Sequence, residues 1–532
     1  AQESRGLGDV YKRQTLDKLD DGRMDDGLVS WLVTISIGGV ALIMRLWNLS
    51  YPSKLLFDET YYPKDAWTML HQGYEGTWGD AKTINPQIAA GTSNGWTPDA
   101  EFVVHPPLGK ELISIGEHLF GMTSFGWRFS SALFGTLMIV LTIRLARRLS
   151  RSTMVGAIAG ILLTLDGLQF VMSRVGLLDI FQATFLVAGV AAVAADRDWF
   201  RHHLADEIRQ RGQLSLAGQF GPRLWWRPWR LVAGIMLGAA CAVKWNSMFV
   251  LATMGIVSVA WDVSARRLAG AGRAAWWSIL KDGVPAFLYL VVVGAATYLA
   301  SWGRWLSSYS TMTFGKGWGG PRADPGLAKV VGTPLAALWD YHVQMYNFHT
   351  GDYMMHQTHA YSAHPAGWLI MQRPIGIDAV NDIKPGQDGC DAVGDTCLRV
   401  ISGMGTPVLW WMAAIALAAG IVWWIAGRDW RFTLPIVAMA STWLPWFKYT
   451  DRPLFFFYAI CIIPFTVTIL AIWLGRIMGS AQRPERRRIG AIIVGAAVVA
   501  VAVNFVFIYP VLTDGLLTRK AWLARMWFNS WI

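Results

Sequence analysis

The sequence predicts an all-α polytopic membrane protein of about eleven spans with two long external loops, and three observations predict it. Hydrophobic residues make up 54% of the 532-residue chain and charged residues only 16%, against about 25% charged in a soluble domain. Apolar runs of spanning or near-spanning length recur along the chain. The 30 tryptophans fit the aromatic belts of membrane interfaces.

The elements follow in order. Residues 1–27 are polar and read as a cytoplasmic tail, with Asp17, Asp20, Asp21, Asp25 and Asp26 arguing against a cleavable signal peptide. The first 14 or so residues resemble translated non-native sequence and receive no role. Apolar runs lie near 28–47, 127–145, 153–165, 177–195, 230–243, 245–262, 283–302, 405–426, 431–447, 454–475 and 488–509, some needing their flanks to cross. They divide the chain into an N-terminal membrane region, 28–302, holding a loop at 48–126; a second loop, 303–404; a C-terminal membrane region, 405–509; and an external tail, 510–532.

Orientation comes from the arginines. Arg144, Arg147, Arg148 and Arg151, the stretch from Arg197 to Arg230, Arg266, Arg267 and Arg273, Arg428 and Arg431, and Arg483 to Arg488 fall in alternate connections, which marks that side as cytoplasmic. The net charge of +11 is thus a topology signal with attraction for anionic membrane lipid. It is no nucleic-acid footprint, because the charges are split among short loops. The loops at 48–126 and 303–404 then lie outside the plasma membrane, as does any site they carry.

The first loop opens with Phe57-Asp58-Glu59, two carboxylates just beyond the first span. Such a pair can act as a base on a substrate presented at the surface, or can begin a helix, with Asp58 as cap and Glu59 in the first turn. About forty residues later comes His105-Pro106-Pro107-Leu108-Gly109-Lys110. The prolines fix the backbone before a helix, and Lys110 either snorkels or faces a lipid phosphate. Lys244, amid an apolar stretch, is a costly cation unless paired, facing a polar cavity, or snorkelling from a span end. Cys390 and Cys397 bracket six residues in the second loop and favour a disulfide over free thiols or a metal pair.

Phe57-Asp58-Glu59, the His105–Lys110 element, Arg128-Phe129-Ser130-Ser131, Ser173-Arg174-Val175-Gly176-Leu177-Leu178-Asp179 and Val243-Lys244-Trp245 resemble, in order and spacing, the protein O-mannosyltransferases, and an actinobacterial member in particular. His364-Pro365-Ala366-Gly367-Trp368, Gln372-Arg373-Pro374 and Asp451-Arg452-Pro453-Leu454-Phe455-Phe456-Phe457-Tyr458 extend the resemblance into the second half. The second loop shows no sign of the β-trefoil MIR domain of eukaryotic members. The resemblance implies the GT-C glycosyltransferase fold and transfer of mannose from polyprenyl-phosphate mannose to Ser or Thr of an unfolded secreted acceptor, with coupling to the secretion translocon suggested by bacterial relatives. Under that reading Asp58 is the base and the reaction is a single inverting displacement. Glu59 holds the acceptor or sugar hydroxyls, unless it caps the helix. Arg128, Arg174 and Lys244 meet the donor phosphate, while His105, Lys110, Asp179, Arg452 and Tyr458 contact substrate. Arg128 as an interfacial anchor, and ion pairs of Arg174 with Asp179 and of Arg452 with Asp451, are the structural alternatives.

No cofactor is expected. His342, His349, His356, His359 and His364 do not fall into a compact ligand spacing with carboxylates, and lining an acceptor cleft suits them better than binding a metal. Three other readings compete, one of them a non-catalytic chaperone-like membrane subunit, which could share the fold yet should have lost the carboxylate pair that is present here. A related transferase acting on a lipid or glycan, such as the aminoarabinose transferases of lipid A, shares the fold and the early Asp. A secondary transporter should show repeated halves, and none is evident.

Overall fold

The computed structural model describes residues 27–315 and 317–532, together with 16, 17 and 19. Most of the 1–27 tail, with the stretch read as non-native, lies outside the described residues. Each of the eleven apolar runs coincides with a helical segment. Among the described residues seven are long and apolar enough to cross a membrane by themselves: Leu28–Leu46, Ser124–Ser150, Asp179–Gln210, Trp245–Leu268, Gly272–Ser301, Pro407–Gly427 and Pro484–Leu512. Thr153–Thr164, Pro228–Val243 and Ile463–Met478 are shorter apolar helices, and the run at 431–447 is α-helical over Thr433–Trp443. The chain is a multi-pass membrane protein.

Local chemistry sets the ends of these helices. Pro228, Pro407 and Pro484 each stand at a first helical position, where a proline loses no hydrogen bond. Thr153–Thr164 stops short because buried Asp166 turns aside to cap the next helix, accepting from the Gln169 N–H at 2.9 Å and from the Trp410 indole at 2.7 Å. The run at 454–475 begins as a 3₁₀ turn, Phe456–Cys461, before it becomes the Ile463–Met478 helix.

The first half of the Asp179–Gln210 helix, to Ala195, is apolar on nearly every side and is buried accordingly, packed between Ser124–Ser150 and Pro228–Val243. Its charges are paired. Asp179, at its start, holds Lys244 through both oxygens at 2.8 Å. Seventeen residues on, buried Asp196 holds Arg227 and Arg230, both of which also reach Asp262. At 1.5 Å per residue these polar layers stand about 26 Å apart, close to the thickness of a hydrocarbon core.

The loops gather at the Asp179 end. The first carries the Tyr62–Gln72, Ala81–Ala89 and Leu108–Phe120 helices and a hairpin of β1 (Gly76–Trp78) with β2 (Trp96–Ala100). The second carries the Thr333–Thr350 helix and two antiparallel strands, β3 (Ile375–Ile383) and β4 (Cys397–Gly403). β5 (Leu517–Thr518), from the C-terminal segment, completes the sheet in the order β3-β4-β5. Cys390 and Cys397 are joined in a disulfide beside this sheet. The two loops meet where the Tyr341 hydroxyl takes the Val103 N–H at 2.7 Å and His349 Nε2 meets the Val104 carbonyl at 2.7 Å.

Gly234 and Gly238 let the Pro228–Val243 helix approach its neighbour backbone to backbone. A Cβ at Gly234 would lie 1.9 Å from the Tyr289 carbonyl oxygen, and one at Gly238 2.7 Å from the Gly294 Cα. Gly238→Ala is therefore expected to destabilise the protein in detergent by about 1–3 kcal/mol, the usual cost of overpacking. Gly255→Ala, whose Cβ would meet nothing nearer than 3.8 Å, should leave stability unchanged or slightly raised. Loss of monodisperse protein on heating, followed for the two variants in parallel, checks the contrast.

Candidate active site

The site is built on a strained turn. Phe57 opens a 3₁₀ turn, Phe57–Thr60, at φ 47°, a left-handed conformation costly for an aromatic residue. Packing holds it there: its ring meets His359, Phe455 and Phe457 edge-on, with centroids at 6.4, 6.0 and 5.9 Å. The next residue but one anchors the turn from inside. Glu59 is fully buried and accepts four hydrogen bonds: from the Leu56 N–H at 2.9 Å, the Gly176 N–H at 2.7 Å, Arg128 Nε at 2.8 Å and Arg128 Nη2 at 2.9 Å.

That geometry corrects two expectations. Glu59 has no oxygen left for an acceptor or a sugar, and its contact with the Leu56 N–H closes the start of the turn on its own side chain. Arg128, also buried, gives its other N–H groups to the carbonyls of Leu49, Pro52 and Lys54. It is a strut, out of reach of a donor phosphate. Arg174 is likewise a correction: its guanidinium donates to the carbonyls of Met44, Arg45, Trp47 and Asn48, satisfying the C-terminal end of the first span. Lys110 is buried against Glu75 and the His105 carbonyl, so it faces neither lipid phosphate nor substrate.

Asp58 points the other way. It takes a hydrogen bond from the Tyr62 hydroxyl and lies in the field of Lys244 and Asp179. Burial raises its pKa to about 6; Lys244 opposes the rise and Asp179 adds to it. A carboxylate so placed is charged at neutral pH yet basic enough to take a proton.

Beside it opens a cavity of about 270 Å³ between the two loops and the membrane bundle. His105, Asp179, Lys244, Arg452 and Tyr458 line it, so the structure brings together with Asp58 the remaining residues marked in the sequence. Lys244 caps the Pro228–Val243 helix in an extended conformation, which swings its ammonium to Asp179 and to within 5.3 Å of the Tyr458 ring centroid. Tyr458 stacks on Trp446 at 4.8 Å. His105 stacks on His349 at 5.4 Å, and its pKa falls well below the ordinary range through burial and the nearby cations, leaving the ring neutral. Asp179 pairs with Lys244 and not with Arg174. Among the described residues Arg452 has no carboxylate within ion-pair distance.

Gln182, Asn246 and Trp446 also line the cavity without having been singled out. Gln182 had a readable signal, since it lies one helical turn beyond Asp179; Asn246 follows directly on Lys244 and Trp245. The histidine stretch divides. His349 enters the cavity, while His342 bonds Tyr298, His359 packs on Phe57, His356 turns back to the Asp352 carbonyl and His364 accepts from the Ala366 N–H.

The chain can be placed by comparison. A dolichyl-phosphate-mannose–protein mannosyltransferase model matches residues 35–302, and a model of the C-terminal four-span region of protein O-mannosyltransferases matches 334–531. The polyprenol-phosphate-mannose–protein mannosyltransferase of Mycobacterium tuberculosis is 35% identical over 95% of this chain and 92% of its own. That of Corynebacterium glutamicum is 34% identical over 92% and 91%. The yeast (S. cerevisiae) protein O-mannosyltransferase Pmt1–Pmt2 complex bound to the sugar donor shares the fold, with a TM-score of 0.69 at 13% identity over 97% of this chain and 94% of that one. This chain, a membrane-embedded glycosyltransferase of the GT-C fold, belongs to the dolichyl-phosphate-mannose–protein mannosyltransferase family.

Proposed function

We propose that this enzyme moves mannose from a polyprenyl-phosphate mannose to Ser and Thr hydroxyls of unfolded exported proteins at the outer face of the plasma membrane. The observation that carries the reading is a cavity lined by two cations, Lys244 and Arg452, with a basic carboxylate, Asp58, close enough to feel Lys244 and Asp179 of its lining. The relatives are named for the same donor and for protein acceptors. The positive-inside bias of the arginines near Asp196 supports an orientation with that end cytoplasmic, the N-terminus inside and Asp58 outside. An extended chain supplied by the secretion translocon suits a hydroxyl that must reach a confined site.

The chemistry is a single displacement. Asp58 takes the proton of the acceptor hydroxyl as its oxygen bonds to the anomeric carbon, on the face opposite the phosphate, and the bond from that carbon to the phosphate oxygen breaks with inversion. The leaving polyprenyl phosphate gains a second negative charge. Lys244, steadied by Asp179, and Arg452 face that charge as it develops. With two cations in place the scheme needs no divalent ion, and 10 mM EDTA is expected to leave the rate of purified enzyme unchanged on the order-of-magnitude scale of metal catalysis. A loss restored by added Mg²⁺ or Mn²⁺ would overturn this point.

Asp58→Asn should slow transfer to a Thr/Pro-rich peptide by about 10²-fold or more while labelled donor still binds. The base must be ionised to act, so wild-type kcat/KM should fall about tenfold per pH unit below its pKa, about 6, and level off above. The residual rate of the Asn variant should lack that limb. Label appearing in lipid and not in peptide would favour the lipid-directed alternative.

The two groups of arginines separate in the same assay. Arg452→Met is expected to raise the donor KM about tenfold or more, the scale of a lost charge-assisted contact. Arg128→Met strands buried Glu59 and should instead cost about 3–5 kcal/mol of stability, read as a lower unfolding midpoint. A folded Arg128→Met protein with normal stability and a raised donor KM would return Arg128 to the phosphate.

A further inference from the structure

Arg452, half-buried on the cavity, is held differently from the arginines of the buried ion pairs, and unlike Arg45 and Arg174, which also lack a carboxylate but spend their N–H groups on carbonyls and the Gln169 amide, it faces the cavity. Arg128, Arg227, Arg230 and Arg266 each hold a carboxylate. The Arg452 guanidinium has no such partner among the described residues; its Nη1 rests 3.4 Å from both Nδ1 and the carbonyl oxygen of His349, and its Nε is buried with no hydrogen-bond partner. His349 sits in the last turn of the Thr333–Thr350 helix, and its other ring nitrogen, Nε2, is 2.7 Å from the Val104 carbonyl. A carbonyl only accepts, so Nε2 carries the proton and Nδ1 presents a lone pair to Arg452. The ring is clamped besides by its stack on His105.

We propose that His349 is a positioning residue: as a neutral acceptor it aims the Arg452 guanidinium into the cavity without cancelling its charge, leaving that charge for the donor's phosphate. A carboxylate in its place would hold Arg452 as firmly but neutralise it. A residue with no acceptor would leave it unaimed. Burial and the nearby cations lower the His349 pKa, in keeping with a ring that stays uncharged. The inference rests on Arg452 being a phosphate ligand, as proposed above, and adds what makes it one. It also explains why the two loops are joined at Val104: the same contact that docks the second loop on the first fixes the histidine tautomer.

The test uses undecaprenyl phosphate as a competitive inhibitor of transfer by the full-length enzyme, with peptide KM and unfolding midpoint measured alongside. Arg452→Met, His349→Asp and His349→Ala are each expected to weaken inhibition about tenfold or more, with peptide KM changed less than threefold. His349→Gln can still donate to Val104 and accept from Arg452, and should recover most of the affinity lost in the Ala variant. Arg452→Met with unchanged inhibition would sink the assignment of Arg452 to the phosphate, and the role of His349 with it. Weakened inhibition in Arg452→Met together with wild-type inhibition in His349→Asp and His349→Ala would overturn the role of His349 alone. If His349→Asp does not fold, the Ala and Gln pair decides: equal losses in both, tracking a lowered midpoint, would mean a purely structural histidine.

Discussion

The buried pair between Glu59 and Arg128 is the constraint on which the site depends. Taking both charges out of water is expensive, and the pair persists because nothing on it is left unmatched: four donors meet the carboxylate, and three loop carbonyls take the remaining guanidinium N–H groups. Those partners come from the end of the first span, the turn that bears Asp58, the start of the second span and the connection before the Asp179 helix. One ion pair therefore fixes four pieces of chain against each other. The strained turn at Phe57 is affordable only inside such a frame.

Asp58 is then one residue from a group it must not resemble. Adjacent carboxylates in an extended or turn backbone point in different directions, and here Glu59 is saturated while Asp58 keeps one phenol donor and an open side. The same division recurs in the cations. Lys244 is paired with Asp179, while Arg452, among the described residues, has no carboxylate partner. Across the membrane, at Asp196 and Asp262, the arginines and carboxylates balance and are purely structural.

Much of this was legible in the chain. Each of the eleven apolar runs fell on a helical segment, and a lysine within an apolar stretch was rightly suspicious, because such a charge needs a partner or a cavity and Lys244 has both. The arginines misled. Arg128 and Arg174 satisfy backbone carbonyls, and a carbonyl has no identity in a sequence, so nothing distinguished a strut from a phosphate ligand. Lys110 was hidden for a related reason: its partner, Glu75, lies 35 residues away across a hairpin whose register no local pattern gives. Short helices such as Thr153–Thr164 fell below a spanning length because a polar residue, Asp166, had tertiary work to do beyond its own segment.

The sheet at the Asp179 end has an order of assembly built into it. β3 and β4 are adjacent in the chain, but β5 comes from residues that follow the Pro484–Leu512 helix. The segment beyond β5 continues inward: Arg373 donates to the Ser530 and Ile532 carbonyls, the Ser530 hydroxyl bonds the Gln372 carbonyl, and Trp531 is buried against the Met371 carbonyl. A nascent chain cannot finish this surface until the Pro484–Leu512 helix has been threaded through the bilayer. Completion of the sheet thus waits on insertion of the Pro484–Leu512 helix, and until then the outer edge of β4 is left unpaired.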